Sequence, residues 1–380
     1  MATRSKTPLC RVLGTAVVAT LSAVGPLHAQ GLELGPRQVV PAGNADLVVE
    51  GYSVPSVVDW NNDGKKDLLV GQGGTGATTG DGKVRVYINI GTDPSPAFDV
   101  FGSATSFYVQ DQALHGGLGG DLSVGYVSCM GSFPRACDWN DDGKKDLLIG
   151  TSAGNVRFYE NVNTDEEPIF DGWRSLQAGG TDIAVGARAT LEVVNWDGAG
   201  PEDLIMGDGN GNVRYFHNAG TAHTPDLKAS RYVQAGPPGN KSDLDVGTRA
   251  SADAHDLDGD GDLDLVIGDG YGKIRQYLST GLAGDGTPVF DAWTFVRGDG
   301  SDIDIDYRSR PFVCDWSGDG RLDLLVGDRS GRVYLYEGVP EPQSGVLLAG
   351  LGAVLRRRKL RRYAEGAKQW LIQPVGTYRG

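Results

Sequence analysis

Residues 256–268 read DLDGDGDLDLVIG, and this stretch decides the fold because four close copies of it occur elsewhere in the chain. They are DWNNDGKKDLLVG from Asp59, DWNDDGKKDLLIG from Asp138, NWDGAGPEDLIMG from Asn195 and DWSGDGRLDLLVG from Asp315. All align without gaps, and successive starts are 79, 57, 61 and 59 positions apart. A self-similar period of this size marks a repeat architecture. Each copy ends in an apolar run and a glycine, after which a second glycine opens an alternating stretch: GKVRVYIN, GNVRFYEN, GNVRYFHN, GKIRQYLS and GRVYLYEG. The alternation predicts a half-buried strand, with Val84, Val86 and Ile88 on one face and Arg85 and Tyr87 on the other.

A second half-repeat follows the first. Pro-x-Phe-Asp recurs at Pro96–Asp99, Pro168–Asp171 and Pro288–Asp291, and segments such as SLQAGGTDIAVGARATLEVVNW then read as two strands meeting at a glycine turn. Four strands in a repeat of this length make one propeller blade. The long first interval comes from two Gly-rich insertions, GGTGATTGDG and LHGGLGGDL, expected as loops. QVVPAGNADLVVEGYSVPSVVDW, near the start, matches the second half of a repeat, and DLLVGDRSGRVYLYEG, near the end, matches the first half. A last blade shared by both ends leaves no open ladder. The expected fold is therefore all-β, a five-bladed β-propeller over residues 31–338, closed by N- and C-terminal strands in one blade.

The loop pattern is D-x-[DN]-x-D-G-x-x-D. Side-chain oxygens at positions 1, 3 and 5 converge as the backbone curls, glycine at 6 permits the turn, position 7 offers its carbonyl, and the Asp at 9 closes the shell. Such a set suits Ca2+, which tolerates six to eight hard oxygens at irregular angles. The expected ligands are Asp59, Asn61, Asp63, Lys65 (carbonyl) and Asp67, with Asp138, Asn140, Asp142, Lys144 (carbonyl) and Asp146 in the next loop. Asp256, Asp258, Asp260, Asp262 (carbonyl) and Asp264 form the richest site, and Asp315, Ser317, Asp319, Arg321 (carbonyl) and Asp323 a weaker one with a hydroxyl at position 3. The third loop keeps Asn195, Asp197 and Asp203 but has Ala199 at position 5, so it is expected to be empty or poorly occupied. An EF-hand is excluded, because position 12 is Val70, Ile149, Ile267 or Val326 and the flanks are strands. Asp-Gly clusters also serve as plain turns, but four loops sharing one constellation favour ligation. Trp60, Trp139, Trp196 and Trp316 follow position 1 even where ligands are lost, which assigns them to packing between blades.

The formal net charge of −14 argues against nucleic acid as a partner. Residues 1–29 have the layout of a signal peptide: Arg4, Lys6 and Arg11, then the apolar Val12 to Val24, then Leu27-His28-Ala29. Beyond the leader only Cys129, Cys137 and Cys314 remain, an odd number that does not suggest a disulfide framework. They read as small apolar side chains.

The aspartate loops and the Asn89-Ile90-Gly91-Thr92 and Pro96–Phe98 stretches resemble FG-GAP and VCBS-type repeats of integrin-α-like propellers, over about residues 36–338. The Phe-Gly and Gly-Ala-Pro pieces are not evident, so the VCBS type fits better. The resemblance implies a calcium-stabilised propeller at a cell surface or in the matrix that binds a protein or glycan. Residues 339–362 are similar to a PEP-CTERM sorting signal: Val339-Pro340-Glu341-Pro342, apolar residues 345–355, then Arg356-Arg357-Arg358-Lys359. That likeness implies the envelope or extracellular matrix of a Gram-negative bacterium, with the membrane touched only transiently. Residues 363–380 read as a disordered tail.

Two other functions have some footing. A glycosidase-like enzyme with carboxylates in the central channel would draw on Glu50, Glu192 or Glu202. A purely structural matrix component needs no site. No Ser-His-Asp order, no zinc spacing among His115, His217, His223 and His255, and no phosphate loop is present, so the expectation is a binding protein rather than an enzyme.

Overall fold

The computed structural model describes residues 31–73, 82–110, 122, 131–198, 200–221 and 223–340. The leader, the tail, Cys129, both Gly-rich insertions and all of the sorting segment beyond Pro340 lie outside these residues or nearly so. The described chain is all-β, with no helix. Each aspartate pattern sits between the first two strands of a four-stranded antiparallel sheet. The first sheet runs Val54–Val58, Asp67–Gln72, Lys83–Tyr87, Ser106–Tyr108. The second runs Phe133–Cys137, Asp146–Gly150, Val156–Tyr159, Arg174–Ser175, and the third Thr190–Val194, Asp203–Gly207, Val213–Phe216, Arg231–Tyr232. The fourth is Ser251–His255, Asp264–Gly268, Ile274–Tyr277, Thr294–Phe295. In the fifth, Arg310–Cys314, Asp323–Gly327 and Val333–Tyr336 are completed by Gln38–Val39 from the other end of the chain.

After their leading aspartate the second strands (DLLVG, DLLIG, DLIMG, DLVIG, DLLVG) are apolar because they are covered on both faces. In the first sheet Leu68, Val70 and Tyr87 pack towards Leu325 and Val333 of the fifth, while Leu69, Val84 and Val86 pack towards Leu147, Ile149 and Tyr159 of the second. The same division recurs between the second and third, third and fourth, and fourth and fifth sheets. This corrects the expectation of half-buried third strands. Tyr87 is 1% exposed because the fifth sheet lies where solvent was expected, and Arg85 is 7% exposed because Phe101 and Tyr108 of its own repeat cover it.

The tryptophans do pack between sheets. Trp60 meets Phe170 at 6.4 Å, Trp196 meets Phe290 at 5.6 Å and Trp316 stacks on Phe98 at 5.8 Å between ring centroids. Trp139 shares its core with Leu227, which stands where other repeats have the Phe of Pro-x-Phe. Cys137 and Cys314 are half-buried free thiols against these cores, pushed up by burial.

The last glycine of each pattern is required by close approach. A Cβ on Gly71, Gly150, Gly207 or Gly268 would overlap the carbonyl of Ser132, Ala189, Ala250 or Ser309 in the following sheet, and one on Gly327 would overlap Ser53 in the first. The first strands are likewise neighbours in sequence order, and the fifth lies beside the first. On the outside, Arg85, Arg157, Arg214 and Arg275 cover Phe101, Trp173, Tyr232 and Trp293 at 4.0, 4.1, 4.7 and 5.0 Å. In the fifth sheet the roles are exchanged: Arg37, next to the N-terminal strand, covers Tyr334 at 5.0 Å.

Candidate metal centres

The loops curl around their own acidic side chains. In the first, Asp59 Oδ1 and Oδ2 accept from Asp63 N and Gly64 N at 3.0 and 2.9 Å, Asn61 Oδ1 accepts from Asp63 N at 3.2 Å, and Asp63 Oδ1 accepts from Lys65 N at 3.0 Å. The second loop repeats these four bonds with Asp138, Asn140 and Asp142. The fourth and fifth keep the bond from Gly261 or Gly320 N to Asp256 or Asp315 Oδ2, at 3.1 and 3.0 Å. Positive φ at Gly64, Gly143, Gly261 and Gly320 makes this turn possible, so position 6 is a glycine.

The Asp at position 9 has a second duty. Asp67 is fully buried and accepts from Trp60 N at 2.9 Å and Asn89 N at 2.7 Å, tying the loop to the end of the third strand. Asp146 does the same with Trp139 and Asn161, Asp203 with Trp196 and Asn218, and Asp264 with Leu257 and Ser279. Asp323 accepts from Ser317 N and Gly338 N. Its retention in the ligand-poor third loop is thereby explained. Burial, reinforced by the acidic neighbours in each loop, pushes Asp67 up to about 6, Asp146 to about 7 and Asp264 to about 6.

Sequence reasoning missed the asparagine that organises the far side of the loop. Asn89 Oδ1 accepts from Gly91 N and Ala97 N at 2.9 and 3.1 Å, and Asn161 and Asn218 repeat the arrangement. Its signal was the recurring Asn-x-Gly-Thr.

The loops differ in what neutralises them. Lys65 pairs with Asp63 at 3.1 Å, Lys144 with Asp142 at 2.9 Å, and Arg321 with Asp319. The fourth loop has Asp262 at that position instead of a cation. There Asp256, Asp258 and Asp260 bring oxygens within 4.8 Å of one another, and burial together with Asp260 raises Asp258. In the fifth loop Ser317 Oγ is buried without a hydrogen-bond partner among the described residues. Converging oxygens without a countercharge and an orphaned hydroxyl at position 3 both fit a hard cation. In the third loop, Tyr215 donates to Asp203 Oδ2 at 2.8 Å, and His217 Nδ1 lies 3.3 Å from Asp203 and 3.8 Å from Asp197. No other repeat has Tyr and His at these places.

Of the candidate catalytic carboxylates, Glu192 is brought beside the buried Asp253, whose carboxyl is raised by burial and by Glu192, and the two share Arg135. Glu192 is 2.6 Å from Arg135 Nε, and Asp253 is 3.4 Å from Arg135 Nη2 while also accepting from Val313 N at 2.7 Å. These groups bind four first strands to one another. Glu50 is exposed, 3.8 Å from Arg85, and Glu202 is half-buried and raised by burial.

Residues 256–326 match the FG-GAP-like repeat family. A search of curated proteins returned no match. Among solved structures the chain is similar to an Agrocybe aegerita lectin described for recognition of non-reducing terminal N-acetylglucosamine, at 19% identity and a TM-score of 0.37, over 75% of this chain and 61% of that one. It is similar to a Dos1 propeller at 10% identity and a TM-score of 0.26, over 75% and 53%. BBS1N in complex with ARL6DN matches at 11% identity and a TM-score of 0.32, over 81% and 98%. The chain thus spans less than two thirds of the length of the first two. The family likeness runs from the fourth aspartate loop, where the ligand pattern is most complete, through the fifth.

Proposed function

We propose that the chain is an exported five-bladed β-propeller, stabilised by calcium at four of its five loops, that binds a protein or glycan at the cell surface or in the surrounding matrix. The observation that carries the calcium reading is the fourth loop, where three carboxylates converge and no cationic side chain stands among them. Asp256, Asp258, Asp260 and Asp264 with the Asp262 carbonyl would hold one ion, and the matching residues from Asp59, Asp138 and Asp315 the others. Calcium supplies the positive charge that offsets their mutual repulsion.

The ring reading is supported by the cycle of sheet contacts, which returns through Gly327 and Ser53 to the first sheet, and by the N-terminal strand Gln38–Val39 in the fifth. Export rests on the leader sequence. A binding role is supported by Trp173 and Trp293, at equivalent repeat positions and 45% and 46% exposed, each backed by an arginine that leaves ring surface open. A glycan and matrix-protein binding screen, run in calcium and in chelator, tests this. Calcium-dependent capture of a glycan or protein supports it. No binding in either condition, with turnover of a polysaccharide, overturns it in favour of an enzyme.

A further inference from the structure

Each first strand is entered through a residue in the left-handed region two positions before it: Tyr52 (φ 52°), Gly131 (83°), Arg188 (63°), Arg249 (53°) and Arg308 (58°). Only the second sheet uses glycine, the residue that takes this conformation without strain. Three successive sheets use arginine, so backbone strain is tolerated in order to place guanidiniums at equivalent points. The fifth sheet adds Arg310 at the start of its first strand and Arg329 after its second. The aspartate loops follow the same first strands, so these arginines lie at the opposite ends.

Shared aromatic rings hold the five side chains together. Arg308 and Arg310 lie 4.6 and 5.6 Å from the Tyr52 ring, and Arg188 and Arg310 are both 5.6 Å from Phe133. Arg249, Arg308 and Arg329 surround Tyr307 at 5.6, 4.9 and 5.3 Å. The group is graded in depth: Arg329 is exposed, Arg249 and Tyr307 are half-buried, and Arg308, Arg188 and Arg310 are 6%, 2% and 1% exposed.

None of the five makes an ion pair with a carboxylate among the described residues. Asp328 is within electrostatic reach of Arg310, but its oxygens accept from Ser330 Oγ and Arg332 N. Arg310 Nη1 donates to Ser53 O at 3.2 Å and Arg249 Nη1 to Tyr307 Oη at 3.0 Å. Nε and Nη1 of Arg188, Nε and Nη1 of Arg308, and Nε and Nη2 of Arg310 are buried with no hydrogen-bond partner among the described residues. Burial and mutual repulsion push Arg188 well down and Arg310 down to about 9. Buried unpaired charge of this kind is costly to folding.

We propose that Arg188, Arg308 and Arg310 form the floor, and Arg249 and Arg329 the entrance, of a binding site for an oxyanion such as a sulfate, phosphate or carboxylate group. Guanidiniums match the acceptor geometry of such groups, and aromatic walls keep water from competing. The inference is independent of the calcium and adhesion readings. The anion is either a free ion or a substituent carried on a sugar, and the test separates these sources.

The full chain in calcium-containing buffer is titrated with sodium sulfate, with a sulfated disaccharide and with its uncharged parent, against sodium chloride at matched ionic strength. Calorimetry is expected to show saturable sulfate binding, with a melting temperature raised by sulfate and not by chloride. Tighter binding of the sulfated disaccharide than of sulfate assigns the site to a sugar-borne anion, and equal or weaker binding to the free ion. Arg188→Met is expected to lower sulfate affinity about tenfold or more while raising the melting temperature in sulfate-free buffer. A merely structural role would lower that temperature in both buffers. If Arg188→Met does not fold, Arg329→Met reads the same loss from the exposed entrance. Absence of a sulfate response beyond that of chloride, or unchanged affinity in the variant that folds, overturns the proposal.

Discussion

At one end of the first strands, the loops from Asp59, Asp138, Asp256 and Asp315 gather carboxylates; at the other, Arg188, Arg249, Arg308 and Arg310 gather guanidiniums. Both are like-charge clusters, but they are compensated differently. The acidic loops fold backbone N–H groups onto their oxygens, and three add a Lys or Arg at position 7. The buried arginines have aromatic faces and very few hydrogen bonds. The loops are therefore built to hold their shape around a small cation, whereas the arginine end is open to a ligand that brings several acceptors of its own.

The largest effect at a single acidic residue is expected at position 9 rather than at the exposed ligands. Asp67→Ala strips two buried backbone N–H groups of their acceptor and should cost on the order of 3 kcal/mol, much of it persisting in chelator. Asp260→Ala, at an exposed position, should cost about 2–3 kcal/mol in saturating calcium and almost nothing without it. Denaturant unfolding of both variants in each condition checks the contrast. Equal behaviour would mean that position 9 does not clamp the loop.

A smaller effect is expected with pH. Asp67, Asp146 and Asp264 stand at about 6, 7 and 6 against an ordinary 3.8, so the folded chain binds these protons more tightly than the unfolded one. In the calcium-depleted chain their contribution is present below the ordinary value and is lost as the pH rises through 6 to 7. Melting temperatures across this window should fall with rising pH without calcium and stay nearly level with it.

The smallest effect is expected in the third loop. His217→Ala should cost about 1 kcal/mol or less, and the cost should be the same in calcium and in chelator. A calcium-dependent cost would show that Asp197, Asp203 and His217 hold the ion after all.

The acidic end was legible in the sequence because its groups lie within nine consecutive positions, so spacing alone places them on one turn. The second duty of Asp67 was not, since its partner Asn89 lies 22 residues away across two strands. Alternation in GKVRVYIN suggested one solvent face, but Tyr87 is covered by the fifth sheet, a neighbour that only the arrangement of the whole chain supplies. Leu227 hid a further Pro-x-Phe position because one apolar residue replaced another. The arginine end is the least legible, because it joins residues 188, 249 and 308 from three sheets. Its trace was the recurrence of ARAT, TRAS and YRSR just before or at successive first strands, where a charged residue recurs at a left-handed position.

Calcium dependence of folding tests the central claim most directly. Scanning calorimetry of the full chain in millimolar calcium and in excess chelator at neutral pH should show a fall of at least about 10 °C on chelation, since each site filled at a hundred times its Kd adds roughly 2.7 kcal/mol. Superimposable melting curves would contradict it and reduce the five aspartate loops to turns.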